Sequence, residues 1–227
     1  MSTATQGAPG GRTAQKREAI LAAATTLFLR NGFRGTSMDE VAAAASVSKQ
    51  TVYKQFVDKE ALFREIVGAV TGRSDAVIDI IAAAFGAAPA VTVDELEDRL
   101  RAVARGYLDA VLHVQVLSLR RLIIAEADRF PDLARRYYEQ APARGIEVIA
   151  AQLRPYVEAG LLHADDLRGA AAHFAYLALA PAQDRAMFLP ADLPDDHERD
   201  RRAAEAAVAF VAAYAPAARQ RQRPAVR

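Results

Sequence analysis

The chain contains no cysteine, which excludes disulfide bonds and thiol chemistry and fits a reducing compartment. No apolar run approaches the roughly 20 residues that a membrane-spanning helix needs, and the first residues lack the apolar core of a signal peptide. We therefore expect a cytoplasmic protein with no membrane contact. Glycine and proline are few, with 12 and 10 residues among 227, and no stretch shows the polar–apolar alternation of a strand. Alanine is abundant, so the sequence predicts an all-α fold.

Charge is distributed unevenly along a chain whose net charge is only +1. Residues 1–73 contain ten Lys and Arg against six Asp and Glu, and all four lysines lie in the first sixty positions. Residues 74–216 contain 15 basic against 22 acidic residues, and residues 217–227 add four arginines. A small basic part attached to an acidic body is expected if only one end of the molecule meets phosphate.

The stretch 36–56 predicts two short helices separated by a tight break. Ser37 followed three residues later by Glu40 forms a capping box at the start of the first helix. The apolar positions of that helix recur with helical spacing at Met38, Val41, Ala42 and Ala45. The segment 46–48 interrupts the pattern, and Ser48 can cap a second helix. This arrangement is typical of a helix-turn-helix with 48–56 as its recognition helix.

The second helix has one apolar and one polar side. Val52 and Phe56 lie four residues apart and face inward, which leaves the other side to Lys49, Gln50, Tyr53 and Lys54. In DNA recognition, ammonium groups bind phosphate, an amide pairs with adenine through two hydrogen bonds, and a phenol reaches the backbone. The alternative is a pair of ordinary amphipathic helices whose Lys and Gln side chains are simply solvated.

We expect the polar side chains of this stretch to divide into two groups. Those expected to hold phosphate are Thr36, Ser37, Ser48, Tyr53 and Lys59, and those expected to reach base edges are Lys49, Gln50, Thr51 and Lys54. For Thr36, Ser37 and Ser48 the alternative role is helix capping alone.

Helical patterns continue on both sides of this stretch. A helix is predicted over 13–31 and ended by Gly32, and another begins after Asp58 and extends to Phe85. Further helices are predicted over 92–113, over 116–128 as a buried central helix, from Pro131 towards 159 with kinks or breaks near Pro142 and Pro155, from 166 until Pro181 bends or stops the helix, and over 197–214.

Five segments between positions 17 and 67 follow one another in a recognisable order. They are Ala-Ile-Leu-Ala-Ala-Ala-Thr-Thr-Leu-Phe at 19–28, Asn-Gly-Phe at 31–33, Thr-Ser-Met-Asp-Glu-Val-Ala at 36–42, Val-Ser-Lys-Gln-Thr-Val-Tyr at 47–53, and Phe56 with Lys-Glu-Ala-Leu at 59–62. This part of the chain resembles the DNA-binding domain of the TetR family of bacterial transcription regulators. Gln50 stands where a glycine is frequent in that family, and Gln55 where an aromatic residue or histidine is frequent, which leaves the base preference open.

The resemblance implies an organisation for the whole chain. It implies a DNA-binding domain at 13–73 and a helical effector-binding and dimerisation domain at 74–216. Composition predicts a disordered N-terminus at 1–12 and a disordered basic tail at 217–227. Members of the family bind a pseudo-palindromic DNA operator as homodimers, most often as repressors. A small-molecule effector enters the larger domain and shifts the dimer away from the spacing that fits DNA. We expect the same here, with no cofactor and no metal.

Two sets of residues in the larger domain are candidates for these roles. The effector candidates place polar or aromatic groups in apolar helices and are Tyr107, His113, Arg120, Glu126, His173, Phe174 and Tyr176. The dimer candidates form a stripe of small and aromatic residues on the last two helices and are Leu167, Ala171, Phe174, Ala203, Ala207, Phe210, Val211 and Tyr214. Each effector candidate has an ordinary core or surface role as its alternative, and the stripe could equally pack inside one chain.

Two other classes of function compete with this interpretation. The four histidines have no metal-ligand spacing, and the sequence contains no glycine-rich phosphate loop or nucleophile elbow, so we expect no enzymatic activity. The second class is a helical protein-interaction or dimerisation module that has lost ligand sensing or DNA binding. The presence of Lys49, Tyr53, Lys54 and Lys59 argues against that class.

Overall fold

The computed structural model describes residues 9–71, 74–86 and 92–216, and every regular element in these ranges is a helix. The helices are α1 (Pro9–Asn31), α2 (Met38–Ala44), α3 (Lys49–Gln55), α4 (Lys59–Thr71), α5 (Ser74–Phe85), α6 (Val93–Val111), α7 (Val114–Ala125), α8 (Pro131–Tyr138), α9 (Arg144–Glu158), α10 (Leu167–Phe188) and α11 (Asp196–Tyr214). The all-α prediction is confirmed for this part of the chain. The disorder expected at 1–12 is wrong for residues 9–12, because α1 begins at Pro9, while residues 1–8 and the tail at 217–227 lie outside the described residues.

The chain divides into two compact units. The first contains the described part of residues 1–72 together with Ser118–Tyr137, and the second contains the described part of residues 73–117 and 138–227. The segment 118–137 therefore belongs to the same compact unit as α1–α4, although it follows α6 in the sequence. A single boundary near residue 73 therefore does not separate the two compact units. The functional domain limits remain a prediction.

Aromatic rings close the core of the first unit. Phe28 lies 5.9 Å from Phe33 and 5.3 Å from Phe63, measured between ring centres. Phe130, which precedes α8, contacts Phe33 at 5.1 Å and Phe63 at 5.3 Å. All four rings are buried, and edge-to-face pairs at these distances are favourable beyond their area burial. The segment 118–137 thus completes the core on which the helix-turn-helix rests.

The second unit has one continuous core, in which α6 packs against α5, α10 and α11 while α9 packs against α5 and α10. The apolar side of α6 is buried, at Leu96, Leu100, Val103, Tyr107 and Val111. On α10 and α11 the buried positions are mostly alanine. Small side chains allow the helix backbones to approach closely, so much of this core consists of helix-to-helix contact.

Helix ends follow the capping residues of the sequence. Gly32 adopts a φ of +74° after α1 and Gly160 a φ of +71° after α9, both in the left-handed region that favours glycine. Thr92 and Asp166 each accept a hydrogen bond from the backbone N–H three residues later. Pro131 occupies the first position of α8, where no N–H is needed.

Several predicted boundaries differ from the structure. The helix expected to reach Phe85 is described in two parts, α4 as far as Thr71 and α5 from Ser74, and residues 72–73 lie outside the described residues. The buried helix predicted over 116–128 is α7, which spans Val114–Ala125 and ends earlier than expected. Its buried positions are Leu117, Leu119, Leu122 and Ile123, whereas Ile124 is 61% exposed. Pro142 lies in a π-helical turn, as a kink there predicted, whereas Pro155 and Pro181 lie within helices. The helix continues past Pro181 because Ala178, Ala182 and Ala186 are buried on both sides of it, and this packing offsets the roughly 3 kcal/mol cost of an internal proline.

Candidate nucleic-acid interface

Capping fixes the turn between α2 and α3. The Ser37 hydroxyl accepts a hydrogen bond from the N–H of Glu40 at 3.2 Å, and the Glu40 carboxylate accepts one from the N–H of Ser37 at 2.8 Å. Ser46 has a φ of +52°, which turns the chain away from α2. Ser48 then accepts a hydrogen bond from the N–H of Thr51 at 3.2 Å and begins α3. The predicted caps of both helices are confirmed, and the start of α3 is held in place.

The inner side of α3 is anchored in the core of the first unit. Val52 has no exposed surface, and Phe56 is 3% exposed. The Arg17 guanidinium of α1 lies 5.2 Å from the centre of the Phe56 ring and pairs with Glu65 of α4. The inward direction predicted for Val52 and Phe56 is therefore what the structure shows, and it determines which side chains of α3 point outward.

The outer side of α3 presents polar groups to solvent. Lys49, Gln50, Tyr53 and Lys54 are all exposed, Tyr53 by 52%. Within the described residues, the side chains of Gln50, Tyr53 and Lys54 have no hydrogen-bond or ion-pair partner. Lys49 differs, because its Nζ lies 2.6 Å from Oδ2 of Asp39 on α2. An amide, a phenol and an ammonium group are thus available together, which is the chemistry that reads base edges and holds phosphate.

The other residues predicted for the interface already have partners in the first unit. Thr36 is 1% exposed, and its hydroxyl donates to the carbonyl of Gly32, just after α1, at 2.9 Å, so its side chain does not face solvent. Lys59 Nζ donates to the carbonyls of Phe33 and Thr36, at 2.9 Å each, and lies 4.5 Å from the centre of the Phe33 ring. The hydroxyls of Ser48 and Thr51 are 2.8 Å apart. The cap of α2 is Ser37, so the Thr36 side chain holds the loop after α1 and does not cap α2.

An open cleft of about 390 Å³ borders α3. Its lining includes Arg34, Tyr53 and Lys59 on one hand and the carboxylates of Glu40 and Asp58 on the other. The hydrogen bond from the Ser37 backbone, followed by that from the Ser37 hydroxyl, lowers the pKa of Glu40 below its ordinary value of 4.5. Glu40 is therefore ionised at neutral pH, and the cleft has mixed rather than purely positive charge.

Two parts of the chain match described protein families. Residues 20–66 match "Bacterial regulatory proteins, tetR family", and residues 98–216 match "AefR-like transcriptional repressor, C-terminal domain". The chain belongs to the TetR family. The fold and family are those of transcriptional regulators and not of enzymes, and the helix-turn-helix of α2 and α3 is the DNA-binding element of such a regulator.

Solved TetR-family structures resemble this chain over nearly its whole length. A regulator from Mesorhizobium loti MAFF303099 is 35% identical with a TM-score of 0.78, and the match covers 90% of this chain and 99% of the other. The Flavonoid-responsive Regulator FrrA is 30% identical with a TM-score of 0.67, again over 90% and 99% of the two chains. The transcriptional repressor BepR of Brucella suis biovar 1 (strain 1330) is 40% identical over 55 residues, 24% of this chain and 26% of BepR. The chain spans about a quarter of the length of the curated relatives it matches.

The residues predicted to bind an effector in this TetR-family protein differ in burial and are divided between the two compact units. Tyr107 is buried in the core of the second unit, and Phe174 is buried against Phe210 with ring centres 5.3 Å apart. The exposed members of the set are His113, His173 and Tyr176. Arg120 and Glu126 lie in the other compact unit. Their sequence positions did not reveal these differences, and the effector site stays a prediction.

The predicted dimer stripe is largely internal to its own chain. The members that are buried within the chain are Ala171, Phe174, Ala203, Ala207, Phe210 and Val211, and Leu167 and Tyr214 are partly buried. A side chain without exposed surface cannot contact a second copy, so this assignment is corrected for the six buried residues. They pack between α10, α11 and α6 because both helices are apolar on more than one side.

Sequence reasoning missed the exposed apolar surface on the other side of the same two helices. An open groove of about 770 Å³ is lined by His173, Tyr176, Leu177, Ala180, Pro181, Ala213 and Tyr214. Tyr176 is 56% and Leu177 45% exposed, and His173 Nδ1 lies 2.6 Å from the Tyr214 hydroxyl. The signal was available in α10, because Tyr176, Leu177 and Pro181 are apolar residues that lie outside the stripe chosen as its buried side.

The described residues contain neither a membrane-spanning helix nor a metal-binding cluster. None of their helices combines the length and apolar character needed to traverse a bilayer. No group of three or more His, Asp or Glu side chains among them is placed to hold a metal ion.

Proposed function

We propose that this TetR-family protein is a homodimeric, cytoplasmic repressor that binds a pseudo-palindromic operator through α3 of each subunit and leaves it when a small molecule binds. The observation that carries the proposal is the outer side of α3. There Gln50, Tyr53 and Lys54 are exposed and have no partner in the described residues, while Val52 and Phe56 hold the opposite side in the core. A rigid helix with free polar groups is what a major groove accepts.

We assign the side chains of the interface to two kinds of contact. Gln50 and Lys54, with Thr51 beside them, are proposed to read base edges, and the Gln50 amide suits adenine. Lys49 would also contact a base edge once its ion pair with Asp39 is broken. Ser37, Ser48, Tyr53 and Lys59 are proposed to hold backbone phosphate. Thr36 is left out of this assignment because its hydroxyl is buried and bonded to the Gly32 carbonyl.

The groove on α10 and α11 is the proposed contact between subunits. It is apolar and exposed in a single chain, and a second copy could cover it with the same surface through a two-fold axis. Dimerisation matters for function because one short helix contacts too few bases to be selective. Two recognition helices reach two half-sites only if their separation matches one turn of DNA, about 34–36 Å, or a multiple of it.

The effector is proposed to be an apolar or aromatic small molecule. FrrA, which is 30% identical over 90% of this chain, is named as flavonoid-responsive, which supports an aromatic class of ligand. The Leu-, Ile- and Ala-rich helices of the second unit suit such a ligand. Release from DNA needs a coupling free energy of typically about 1–3 kcal/mol between the two sites.

Selection from a random duplex library by the purified full chain tests the proposal. We expect enrichment of an inverted-repeat sequence, and on that sequence Gln50→Ala should cost about 1–3 kcal/mol at one base position in each half-site and relax the preference there. Gln55→Ala is the matched control, because it removes the same amide from the same helix at a half-buried position away from the outer side.

Two outcomes would overturn the assignment. Failure to enrich any sequence would remove the operator-binding function itself. Equal losses by the Gln50 and Gln55 variants on matched and mismatched duplexes would leave DNA binding in place but remove Gln50 from base recognition.

A further inference from the structure

Lys49 is the one lysine of α3 whose charge is met by a carboxylate within the described residues. Its Nζ lies 2.6 Å from Asp39 Oδ2, a distance at which the ion pair is also a hydrogen bond. Asp39 belongs to the first turn of α2 and Lys49 is the first residue of α3, so the pair spans the turn of the helix-turn-helix. Both side chains remain accessible, with 66% of Lys49 and 56% of Asp39 exposed.

The ion pair between Lys49 and Asp39 reduces the positive charge that α3 can place on the phosphates of DNA of any sequence. Phosphate contacts are largely independent of sequence and supply most of non-specific binding. Lys54 has no carboxylate partner in the described residues, so no ion pair has to break before it contacts DNA. Lys49 must first give up Asp39, and the exposed carboxylate left beside it repels phosphate. Lys49 therefore gains little from a backbone contact alone.

A base edge can offer more than a phosphate at this position. Guanine presents two adjacent acceptors, N7 and O6, in the major groove, and a lysine placed there gains sequence-dependent hydrogen bonds. Such a site can replace the carboxylate, whereas a random sequence cannot. A repulsive element that penalises the wrong partner more than the right one raises specificity without adding affinity.

We propose that Asp39 is a specificity-determining residue, which holds the Lys49 ammonium and so suppresses binding to non-operator DNA. This rests on the proposed function of α3 in operator binding. Asp39 acts through Lys49 and need not touch a base. Lys49 leaves Asp39 only where a base edge can accept its hydrogen bonds. The Lys49 contact therefore forms fully only on a matching sequence.

The test uses Asp39→Asn, Lys49→Ala and the double variant in the full chain. The probes are the duplex that the wild-type protein enriches from a random library and a shuffled duplex of the same length and composition. Dissociation constants are measured by fluorescence anisotropy over a series of KCl concentrations. A thermal melt followed by circular dichroism confirms that each variant is folded.

We expect Asp39→Asn to tighten binding to the shuffled duplex by about tenfold in a dimer at low salt. The plot of log affinity against log salt should steepen by about 2, since one lysine per subunit becomes free to meet phosphate. Binding to the enriched duplex should tighten less, so the ratio of the two affinities falls. In the Lys49→Ala background the same Asp39 change should have less than about a twofold effect. Lys49→Ala alone should weaken binding to the enriched duplex more than to the shuffled one.

Glu18→Gln is the matched charge control. Glu18 is exposed on α1, in the same compact unit, and has no ion-pair partner in the described residues, so this variant removes one negative charge without releasing Lys49. An equal effect of Glu18→Gln and Asp39→Asn would overturn the proposal, as would effects of the Asp39 and Lys49 changes that simply add. If the wild-type protein enriched no sequence, operator binding itself would fail, which is a separate result from a failure of Asp39 alone.

Discussion

The two compact units bury their cores with different kinds of side chain. The helices of the DNA-binding element are short, with 7 residues each in α2 and α3, and large rings on the neighbouring elements supply the core beneath them. In the second unit α10 has 22 residues and α11 has 19, and their buried positions are mostly alanine. A short helix makes few contacts, so each must be large, whereas long helices can accumulate many small ones.

Cationic side chains also make different contacts in the two units. In the first unit, Lys59, Arg64 and Arg129 each lie within 5.4 Å of the centre of a phenylalanine ring, so their charges also contribute to packing. In the second unit, Arg105 pairs with Asp109, Asp196 and Asp200 and links α6 to α11. Partial burial alone would lower the pKa of Arg105, but the hydrogen bond to Asp200 and the charges of Asp109 and Asp200 raise it overall.

The largest expected effect compares one buried ring in each unit. Phe63→Ala and Phe174→Ala should each lower the free energy of unfolding by about 3–5 kcal/mol. Phe63 should be at the upper end, because its ring contacts Phe28, Phe33 and Phe130 while Phe174 contacts Phe210. Urea unfolding followed by circular dichroism measures both values.

Phe188→Ala is the control for this pair, because Phe188 is 78% exposed and its removal should change stability by less than about 0.5 kcal/mol. A larger loss from Phe174→Ala than from Phe63→Ala would contradict the idea that the first unit depends more on each ring.

A smaller effect compares one arginine in each unit. Arg129→Ala removes an ion pair with Glu60 at 2.6 Å and a guanidinium 4.7 Å from the centre of the Phe33 ring, which together should cost about 1–2 kcal/mol. Arg168→Ala removes one exposed ion pair with Glu147 and should cost clearly less than Arg129→Ala.

Urea unfolding at 0.05 and 1 M NaCl separates the two contributions. The Arg168 effect should vanish at high salt, because exposed ion pairs are screened, while most of the Arg129 effect should persist. Loss of both effects to the same degree would show that Arg129 does not stabilise the first unit by packing on the rings.

The smallest effect concerns the caps of α2 and α6. Ser37→Ala and Thr92→Ala should each cost about 1 kcal/mol, since each removes a hydroxyl that accepts a backbone hydrogen bond. At Ser37 the stability should also depend on pH through Glu40. The pKa of Glu40 is lowered by folding, so its stabilisation is complete above 4.5 and is lost as the pH falls through the folded value.

Thermal melts of the wild-type protein and Glu40→Gln between pH 7 and pH 3 check this sign. The wild-type protein should lose more stability than Glu40→Gln over that interval, because the glutamine does not titrate. A wild-type protein that gained stability relative to the variant on acidification would reverse the assigned direction of the Glu40 pKa shift.

Much of the helix-turn-helix could be predicted because its signals are local. The Ser37–Glu40 capping box, the Ser48 cap and the spacing of Val52 and Phe56 each involve residues within four positions of one another, and all are present in the structure. The free outer side of α3 follows directly from that spacing. The pairing of Lys49 with Asp39 and of Lys59 with two carbonyls did not follow, because those partners lie ten or more positions away.

The sequence by itself determined that the chain is helical, where most helices begin and end, and which residues of α3 face away from the core. Only the tertiary structure decided that 118–137 packs with the first unit, that Ala207 and Phe210 are core, and that the apolar groove on α10 and α11 is the exposed side. The reason is physical. Helical periodicity shows that a helix has an apolar side, but which element covers that side depends on residues far away in the chain.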